Sequence, residues 1–502
     1  MLYTKSIELR MYKFKTKPYE HQKDALKKCW NKEAFAIFAE MGTGKTKIAL
    51  DNACILYNKG RIDRVLIVAP KGTYMNWVDQ EIPTHVPDYV EKNVVAWKQS
   101  TSAEYKQQLK NIKDASDYRF KIMVMNVEAL STKKGVEFAR IFLIGKSMMI
   151  VDESTTIKNP QAKRTKNILS LSKEAKYRRI LTGSPVTQSP MDLWSQMDFL
   201  DPEILGQQSF YAFRTRYAVV ITANAAGGTH KYQKIVKFKN LAQLGNLVSP
   251  HSYRILKKDC LDLPEKTFIK REVELTEEQT KAYQDMKTTA MTVLKGQSLT
   301  AVNVLTQLMR LHQITCGHMK TDSGDTLNLK NNRVDELMQI LSETTGKAII
   351  WANYIHDILN IESAIKKEYG PTSYCTYYGA TKAEDRQRCI YDFQNKKNDC
   401  RFFIGNTQTG GYGITLTAAS TVIYYSNNYD LEKRIQSEDR AHRIGQINPV
   451  LYIDMVAKKT VDEKIIKALK NKVNIAKEIS GEELSEWICF RLYLHCMHPI
   501  FS

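Results

Sequence analysis

Several things are missing from this sequence, and each absence excludes something. No apolar run in the 502 residues approaches the roughly eighteen that a membrane-spanning helix requires, so a membrane protein of that kind is excluded. The opening stretch, MLYTKSIELRMYKFKTKPYEHQ, has no apolar core of signal-peptide length and no small-residue cleavage site. The nine cysteines run from Cys29 to Cys496, are odd in number and are never spaced CxxC. They read as buried thiols of a reducing compartment, not as a disulfide framework. His495-Cys496-Met497-His498 has two metal-ligating residue types, but no second ligand pair stands at zinc-finger spacing, and we read no metal there. There is no internal repeat and no low-complexity tract. The expectation is an intracellular, non-secreted protein.

What is present is a globular composition with an unbalanced charge. Hydrophobic residues make up 43% and aromatics 10%, enough for real cores, and the length suits about three domains. Lys and Arg number 74 against 54 Asp and Glu, a formal charge of +20. Such an excess favours a polyanionic partner, because basic surface binds phosphates by releasing their counterions.

Two regions share one grammar. Apolar runs at 34–39, 65–69, 121–126, 148–151 and 179–181 suit buried parallel strands, and polar-amphipathic stretches of helical length separate most of them. That is the pattern of a doubly wound parallel sheet. It returns at 348–352, 373–377, 402–405, 421–425 and 452–456. From 191 to 346 the grammar changes. Segments 277–286 and 299–313 read as helices, the first opened by a capping box of Thr276 with Gln279. Within this region 218–239 reads as a hairpin whose second run carries Lys231, Lys234, Lys237 and Lys239. These suit a nucleic-acid backbone or, equally, a solvated edge that resists aggregation. The expected domains are 1–190, a mostly helical insertion at 191–346, a second α/β lobe at 347–480, and an apolar tail at 481–502. The tail is expected to dock on the second lobe.

Three segments carry chemistry. In the run FAIFAEMGTGKT a strand enters a glycine loop and then a helix. Gly42, Thr43 and Gly44 let backbone N–H groups close around phosphate oxygens at the positive end of that helix. Lys45 would reach the β- and γ-phosphates, and the Thr46 hydroxyl would hold Mg²⁺. Ala39 stands where the strict pattern has glycine, but the glycines of the cradle remain. A second strand delivers Asp152-Glu153-Ser154-Thr155. Asp152 is expected to hold Mg²⁺, and Glu153 to act as general base on the attacking water. Two acids at a strand end also occur as plain solvation, but their place about a hundred residues after GKT favours the catalytic reading. The third segment is QSEDRAHRIGQ. On a helix Gln436, Arg440 and Arg443 fall at i, i+4 and i+7, on one face. Two guanidiniums there suit bidentate recognition of phosphates; a helix with salt-bridged arginines is the plain alternative.

Together these segments resemble helicase superfamily two and, within it, the Swi/Snf-type DNA translocases. QSEDRAHRIGQ is the most specific feature. Pro18-Tyr19-Glu20-His21-Gln22 resembles the Q motif, which implies that Gln22 reads adenine. Val68-Ala69-Pro70-Lys71, followed by Asn76-Trp77, is similar to the motif that grips a strand's backbone, which points to Lys71. Leu181-Thr182-Gly183-Ser184-Pro185 resembles the family's LTGTP, which couples the ATP site to the nucleic-acid site. Leu193-Trp194 and Phe199-Leu200 match the segment after it, and 254–266 resembles the stretch before the family's second helical insertion. The run TGGYGITLTAA, with Gly410, Gly411 and Thr415, is similar to AGGxGxNLTAA.

The resemblance spans 19–475. It implies two RecA-like lobes with one ATP site between them, where Arg440 and Arg443 neutralise charge on the γ-phosphate. It further implies Mg-ATP hydrolysis and a monomer that moves along double-stranded DNA without routine strand separation. Replication, repair or transcription proteins are the expected partners. The short ends have no room for a chromatin-reading module. That suits the compact forms of viruses and bacteria, and so a bacterial cytoplasm or an infected host cell. Three departures stand out: Ser154 and Thr155 in DEST where DEAH or DEGH is usual, Ser184 for Thr, and Thr415 for Asn. Two other readings are carried. One is a strand-separating or branch-migrating helicase in recombination, repair or replication restart, with the 218–239 hairpin as its wedge. The other is a nucleic-acid-binding interaction protein that uses ATP only as a switch, against which Lys45, Glu153, Arg440 and Arg443 argue.

Overall fold

A computed structural model describes residues 12–224, 231–296, 301–320, 325–395, 397–410 and 414–480. The tail and its His495–His498 run lie outside the described residues. The described chain forms two compact units. Residues 12–218, 238–261 and 472–480 make the first; 219–237 and 262–471 fall in the second.

The first unit is built on β1 (Ala34–Ala39), β2 (Arg64–Ala69), β3 (Lys92–Ala96), β4 (Phe120–Asn126), β5 (Ser147–Asp152) and β6 (Tyr177–Thr182). A further strand, Ser252–Ile255, completes the order β3-β4-β2-β5-β6-β1-Ser252–Ile255, and every pairing is parallel. Phe35 to Ala39 and all of β5 are buried, which is why these strands read as continuous apolar runs and not as alternating ones. Because the strands are parallel, their carboxyl ends line one edge, where open α/β sheets bind ligands. Ala39, Ala69, Asp152 and Thr182 end there. Helices α1 (Glu20–Cys29), α2 (Lys45–Asn58) and α3 (Leu193–Leu200) carry the neighbouring site residues. β3 was not anticipated because its first three residues are only half-buried and its pattern is mixed.

Two strands, β7 (Ala218–Asn224) and β8 (Lys231–Phe238), form a two-stranded sheet at the expected hairpin. Its turn, 225–230, and the side chains of Lys231 and Lys234 lie outside the described residues; Lys237 and Lys239 are exposed. The strand Ser252–Ile255 is β9.

The second unit corrects the expected boundary. Its sheet opens with β10 (Lys266–Val273), inside the region read as a helical insertion. Two short strands, β11 (His318–Lys320) and β12 (Thr326–Asn328), pair with each other. β13 (Lys347–Trp351), β14 (Tyr374–Tyr377), β15 (Phe402–Gly405), β16 (Ala419–Tyr424) and β17 (Val450–Ala457) complete the parallel order β10-β17-β16-β13-β15-β14. β10 escaped notice because it is an edge strand with four exposed positions, and KTFIKREV carries no apolar run.

The two expected helices are present as α4 (Glu277–Gly296) and α5 (Ala301–Thr315). The capping box at Thr276 is made. Its backbone N–H donates to Gln279 Oε1, and the Gln279 N–H donates to Thr276 Oγ1, both at 3.2 Å. Further along lie α6 (Arg333–Glu343), α7 (Ala383–Gln394), α8 (Leu431–Glu438) and α9 (Val461–Ser480). None of the described helices is long and apolar enough to cross a membrane.

The reading of every cysteine as a thiol also changes. Cys375 on β14 and Cys389 on α7 are disulfide-bonded, with Cα atoms 5.4 Å apart. The helix packs on the strand and brings together positions that no CxxC spacing announced. Cys29, Cys54, Cys316 and Cys400 are buried thiols, and Cys260 is half-buried.

Candidate active site

β1 ends in a loop that turns through two left-handed glycines, Gly42 at φ 83° and Gly44 at φ 82°. Gly44 is also the residue before α2, no side chain caps that helix end, and a helix N-terminus of this kind suits an anion. Any other residue at position 44 would be strained at this φ and would push Gln22 aside. A Cβ there would lie 2.1 Å from Gln22 Nε2. Behind the loop, the buried Thr43 carbonyl accepts from His21 Nε2 at 2.8 Å and from Gln22 Nε2 at 3.1 Å. Gln22 Oε1 in turn accepts from the Tyr19 N–H at 3.0 Å. Both ends of the Gln22 amide are thus engaged by main chain, and in this arrangement Gln22 braces the phosphate loop.

Lys45 and Thr46 occupy the first turn of α2. Lys45 Nζ lies 3.0 Å from Glu153 Oε1, and both side chains are 11% exposed. Glu153 is one of three non-glycine residues at positive φ (45°) among the described residues. Its strained turn directly after β5 swings the carboxylate toward Lys45.

Asp152 ends β5. Its Oδ1 accepts from the Glu153 N–H at 2.9 Å, and its Oδ2 accepts from Trp77 Nε1 at 3.0 Å. Burial, then repulsion from Glu153, pushes the Asp152 carboxyl up to about 6, against the pull of Lys45. Two buried acids beside one lysine are short of positive charge, which a divalent cation would supply. The residues therefore fit Mg-ATP: a backbone cradle, a lysine, a first-turn threonine and an acid pair.

The neighbouring strand ends are wired to this loop. Gly183 packs so closely on it that a Cβ would lie 3.3 Å from Glu40 Cα. The Thr182 hydroxyl accepts from the Ser184 N–H at 3.1 Å. Arg254 on β9 donates to the Gly183 carbonyl at 2.8 Å, and Glu40 accepts from the Lys257 N–H at 2.7 Å. Ser154, the departure in DEST, donates to Gln196 Oε1 on α3 at 2.6 Å. Gln196 Nε2 donates to the Pro185 and Asp192 carbonyls, each at 2.7 Å. Lys71 is exposed beyond the end of β2. Trp77, Gln196 and Arg254 were not singled out as site residues; an amide inside the apolar LWSQMDFL was the visible signal for Gln196.

In the second unit the helical-face argument fails. α8 stops at Glu438, and Arg440 and Arg443 lie in the turns that follow, closed by Gly445 at φ 99°. The turns still bring the two arginines together. Arg440 Nη1 at 3.1 Å and Arg443 Nη1 at 3.3 Å both donate to the Ile414 carbonyl. Arg440 is 1% exposed and also bonds the Gln436 carbonyl at 3.0 Å, whereas Arg443 is only half-buried. Gln436 is buried, with Nε2 on Glu432 at 3.2 Å and Oε1 without a hydrogen-bond partner. Thr415 is half-buried beside Ile414, Gly410 backs onto the Trp351 ring, and Gly411 lies outside the described residues.

Comparison with known proteins gives the family. Residues 21–320 match the SNF2-related domain, and residues 330–445 the helicase conserved C-terminal domain. The chain is 27% identical over 488 residues to Protein CHROMATIN REMODELING 4 of Arabidopsis thaliana, covering 91% of this chain and 21% of that protein. To the SWI/SNF chromatin-remodeling complex subunit snf22 of Schizosaccharomyces pombe it is 28% identical, over 87% of this chain and 26% of the relative. An uncharacterized ATP-dependent helicase of Mycoplasma genitalium is 25% identical, over 89% and 41%. The chain thus spans between a fifth and about two fifths of these relatives. The SWI2/SNF2 ATPase core of Sulfolobus solfataricus, solved in complex with dsDNA, matches with a TM-score of 0.43 at 24% identity, covering 95% of each chain. With the SNF2-related match alone taking in more than half of its length, the chain belongs to the SNF2-related, Swi/Snf-type family of helicase superfamily two, the ATP-hydrolysing helicases.

Proposed function

We propose that the chain hydrolyses Mg-ATP at the glycine loop of the first unit and uses the energy to move along duplex DNA, remodelling DNA or protein–DNA complexes. The observation that carries this is the cluster at the end of β5: Lys45 on Glu153, with Asp152 forced toward protonation beside them. An arriving γ-phosphate competes with Glu153 for Lys45. As Lys45 turns to the phosphate it releases the Glu153 carboxylate, which then takes a proton from the attacking water. Asp152 and Thr46 are the residues that would hold Mg²⁺, whose positive charge would offset the negative charge of the phosphate oxygens. Arg443, with Arg440 behind it, is the residue we assign to the charge that develops as the γ-phosphoryl leaves. Duplex DNA as the track is supported by the family, by the +20 charge and by relatives named for chromatin remodelling. Exposed Lys71 is the residue proposed to meet the backbone.

The second reading, a strand-separating helicase, is kept because β7 and β8 pair as a two-stranded sheet. Steady-state ATPase with duplex or single-stranded DNA, run beside triplex displacement and fork unwinding, separates the two. We expect duplex stimulation and triplex displacement. Lys45→Ala should weaken nucleotide binding, and Glu153→Gln should keep binding while losing about 10²–10⁴ in turnover. Near-normal turnover in Glu153→Gln would remove the general-base role, and fork unwinding without triplex displacement would favour the second reading.

A further inference from the structure

Asp152 is held by a residue that no phosphate-binding motif contains. From the geometry we infer that Trp77 is a positioning residue for the metal site: its indole N–H fixes the Asp152 carboxylate in the orientation that holds Mg²⁺. This rests on the Mg-ATP reading above.

Three observations support it. The two hydrogen bonds on Asp152 take one oxygen each, Trp77 Nε1 on Oδ2 and the Glu153 N–H on Oδ1, so together they set the plane of the carboxylate. Loss of a group behind a metal ligand that orients it in this way typically costs about 10–100-fold in metal affinity. The second observation concerns the backbone at Trp77. Residues Trp77–Glu81 form a π-helical turn in which the Ile82 N–H reaches back five residues to the Trp77 carbonyl. Such turns are rare and concentrate at functional sites.

The third is a comparison within the chain. Trp30 and Trp351 are also buried, and the indole N–H of each has no hydrogen-bond partner. A buried tryptophan in this protein therefore does not require a partner in order to be accommodated. Trp77, 2% exposed in the first core, fills space as they do and in addition directs its N–H at the acid. Phenylalanine would fill most of that space and could not make the bond. Trp77 is also six residues from Lys71, so the segment proposed to meet DNA carries the group that orients the metal acid.

The test uses the full chain and a fluorescent ATP analogue, with binding followed while MgCl₂ is titrated, and Mn²⁺ binding read by electron paramagnetic resonance. Two variants are compared: Trp77→Phe, and position 77 carrying 3-benzothienylalanine, an isostere of tryptophan without the N–H. Both should raise the Mg²⁺ midpoint about 10–100-fold and weaken Mn²⁺ to match, with analogue binding in EDTA unchanged. In an Asp152→Asn background the same changes should add little further. A midpoint within two-fold of wild type in the isostere overturns the role of Trp77, even if Trp77→Phe fails to fold. A wild type whose analogue binding ignores Mg²⁺ overturns the metal site itself and Trp77 with it.

Discussion

Lys45–Glu153 in the first unit and Arg333–Asp462 in the second are both buried ion pairs, but their surroundings differ. Arg333 also donates to the Thr315 carbonyl at 3.1 Å and to the Tyr425 carbonyl. Asp462 also accepts from Thr315 Oγ1 at 2.9 Å and from the Ala457 N–H at 3.1 Å. Burial would raise the Asp462 carboxyl, yet Arg333 and then His312 hold it below the usual range. In the first unit the balance runs the other way. Asp152 is pushed up, and Glu153 is held in a strained turn. Burial of charge by itself therefore does not mark a site. A saturated network joins α5, α6 and α9, while a crowded and incompletely neutralised one is the kind that marks a functional site.

The largest effect expected from this contrast concerns the two arginines near Ile414. Arg443→Ala should lower single-turnover hydrolysis by about 10³–10⁵ and leave thermal stability within about 1 kcal/mol, because its side chain is only half-buried. Arg440→Ala should lose both, since it strands the Gln436 carbonyl in the interior and leaves the Ile414 carbonyl to Arg443 alone, at about 1–3 kcal/mol. An Arg440→Ala protein with unchanged melting would show that this arginine is not a buried strut. A folded double variant hydrolysing within a few-fold of wild type would remove the second unit from catalysis.

Next in size is the saturated pair. Asp462→Asn leaves Arg333 buried without its counter-charge and should cost about 3–5 kcal/mol in denaturant unfolding, with ATP-analogue binding to the folded protein unchanged. The pair also sets a direction with pH. Burial holds His312 below its ordinary 6.5, and Asp462 is held below 3.8. Both folded-state values are depressed, so both contributions are present at neutral pH and fade on acidification, that of His312 from about 6.5 downward and that of Asp462 only below about 3.8. Hydrogen exchange in α5 and α9 should accelerate as pH falls from 7 to 5, after correction for intrinsic rates. Protection that rises over that range would contradict the neutral, buried His312.

The smallest effect belongs to Ser154 and Gln196. Ser154→Ala leaves Gln196 Oε1 without its donor and should cost about 1 kcal/mol; adding Gln196→Leu should add to that cost, because the Pro185 and Asp192 carbonyls then lose their donor as well. In both variants the ratio of DNA-stimulated to basal ATPase should be altered by a few-fold. A ratio equal to wild type in the double variant would reduce this link to packing.

The sequence was most legible where burial makes strands uniformly apolar. β1 and β15 read as they stand, and the other strands buried on both faces read to within a residue or two. The glycine loop and the acid pair were legible because their chemistry dictates residue type and spacing. Edge strands such as β3 and β10 were not, since one exposed face dilutes the apolar signal. Nor were the supporting roles of Trp77 and Arg254, which stood in family-like segments but reach the site from far away in sequence. The helix drawn through Arg443 failed for another reason. Periodicity alone cannot see that Arg440 folds back onto the Gln436 carbonyl and ends the helix.

The pairing of β10 with β17 has a consequence for synthesis. Lys266 aligns with Val450 and Val273 with Ala457, partners about 180 residues later in the chain. At usual elongation rates an emerging β10 waits on the order of 10–40 s for its neighbour. Through that interval it is an unpaired edge, the kind of surface on which nascent chains adhere to one another. Lys266, Lys270 and Arg271 make it a charged edge, and the same composition that hid the strand from a hydrophobicity reading guards it while the ribosome completes its partner.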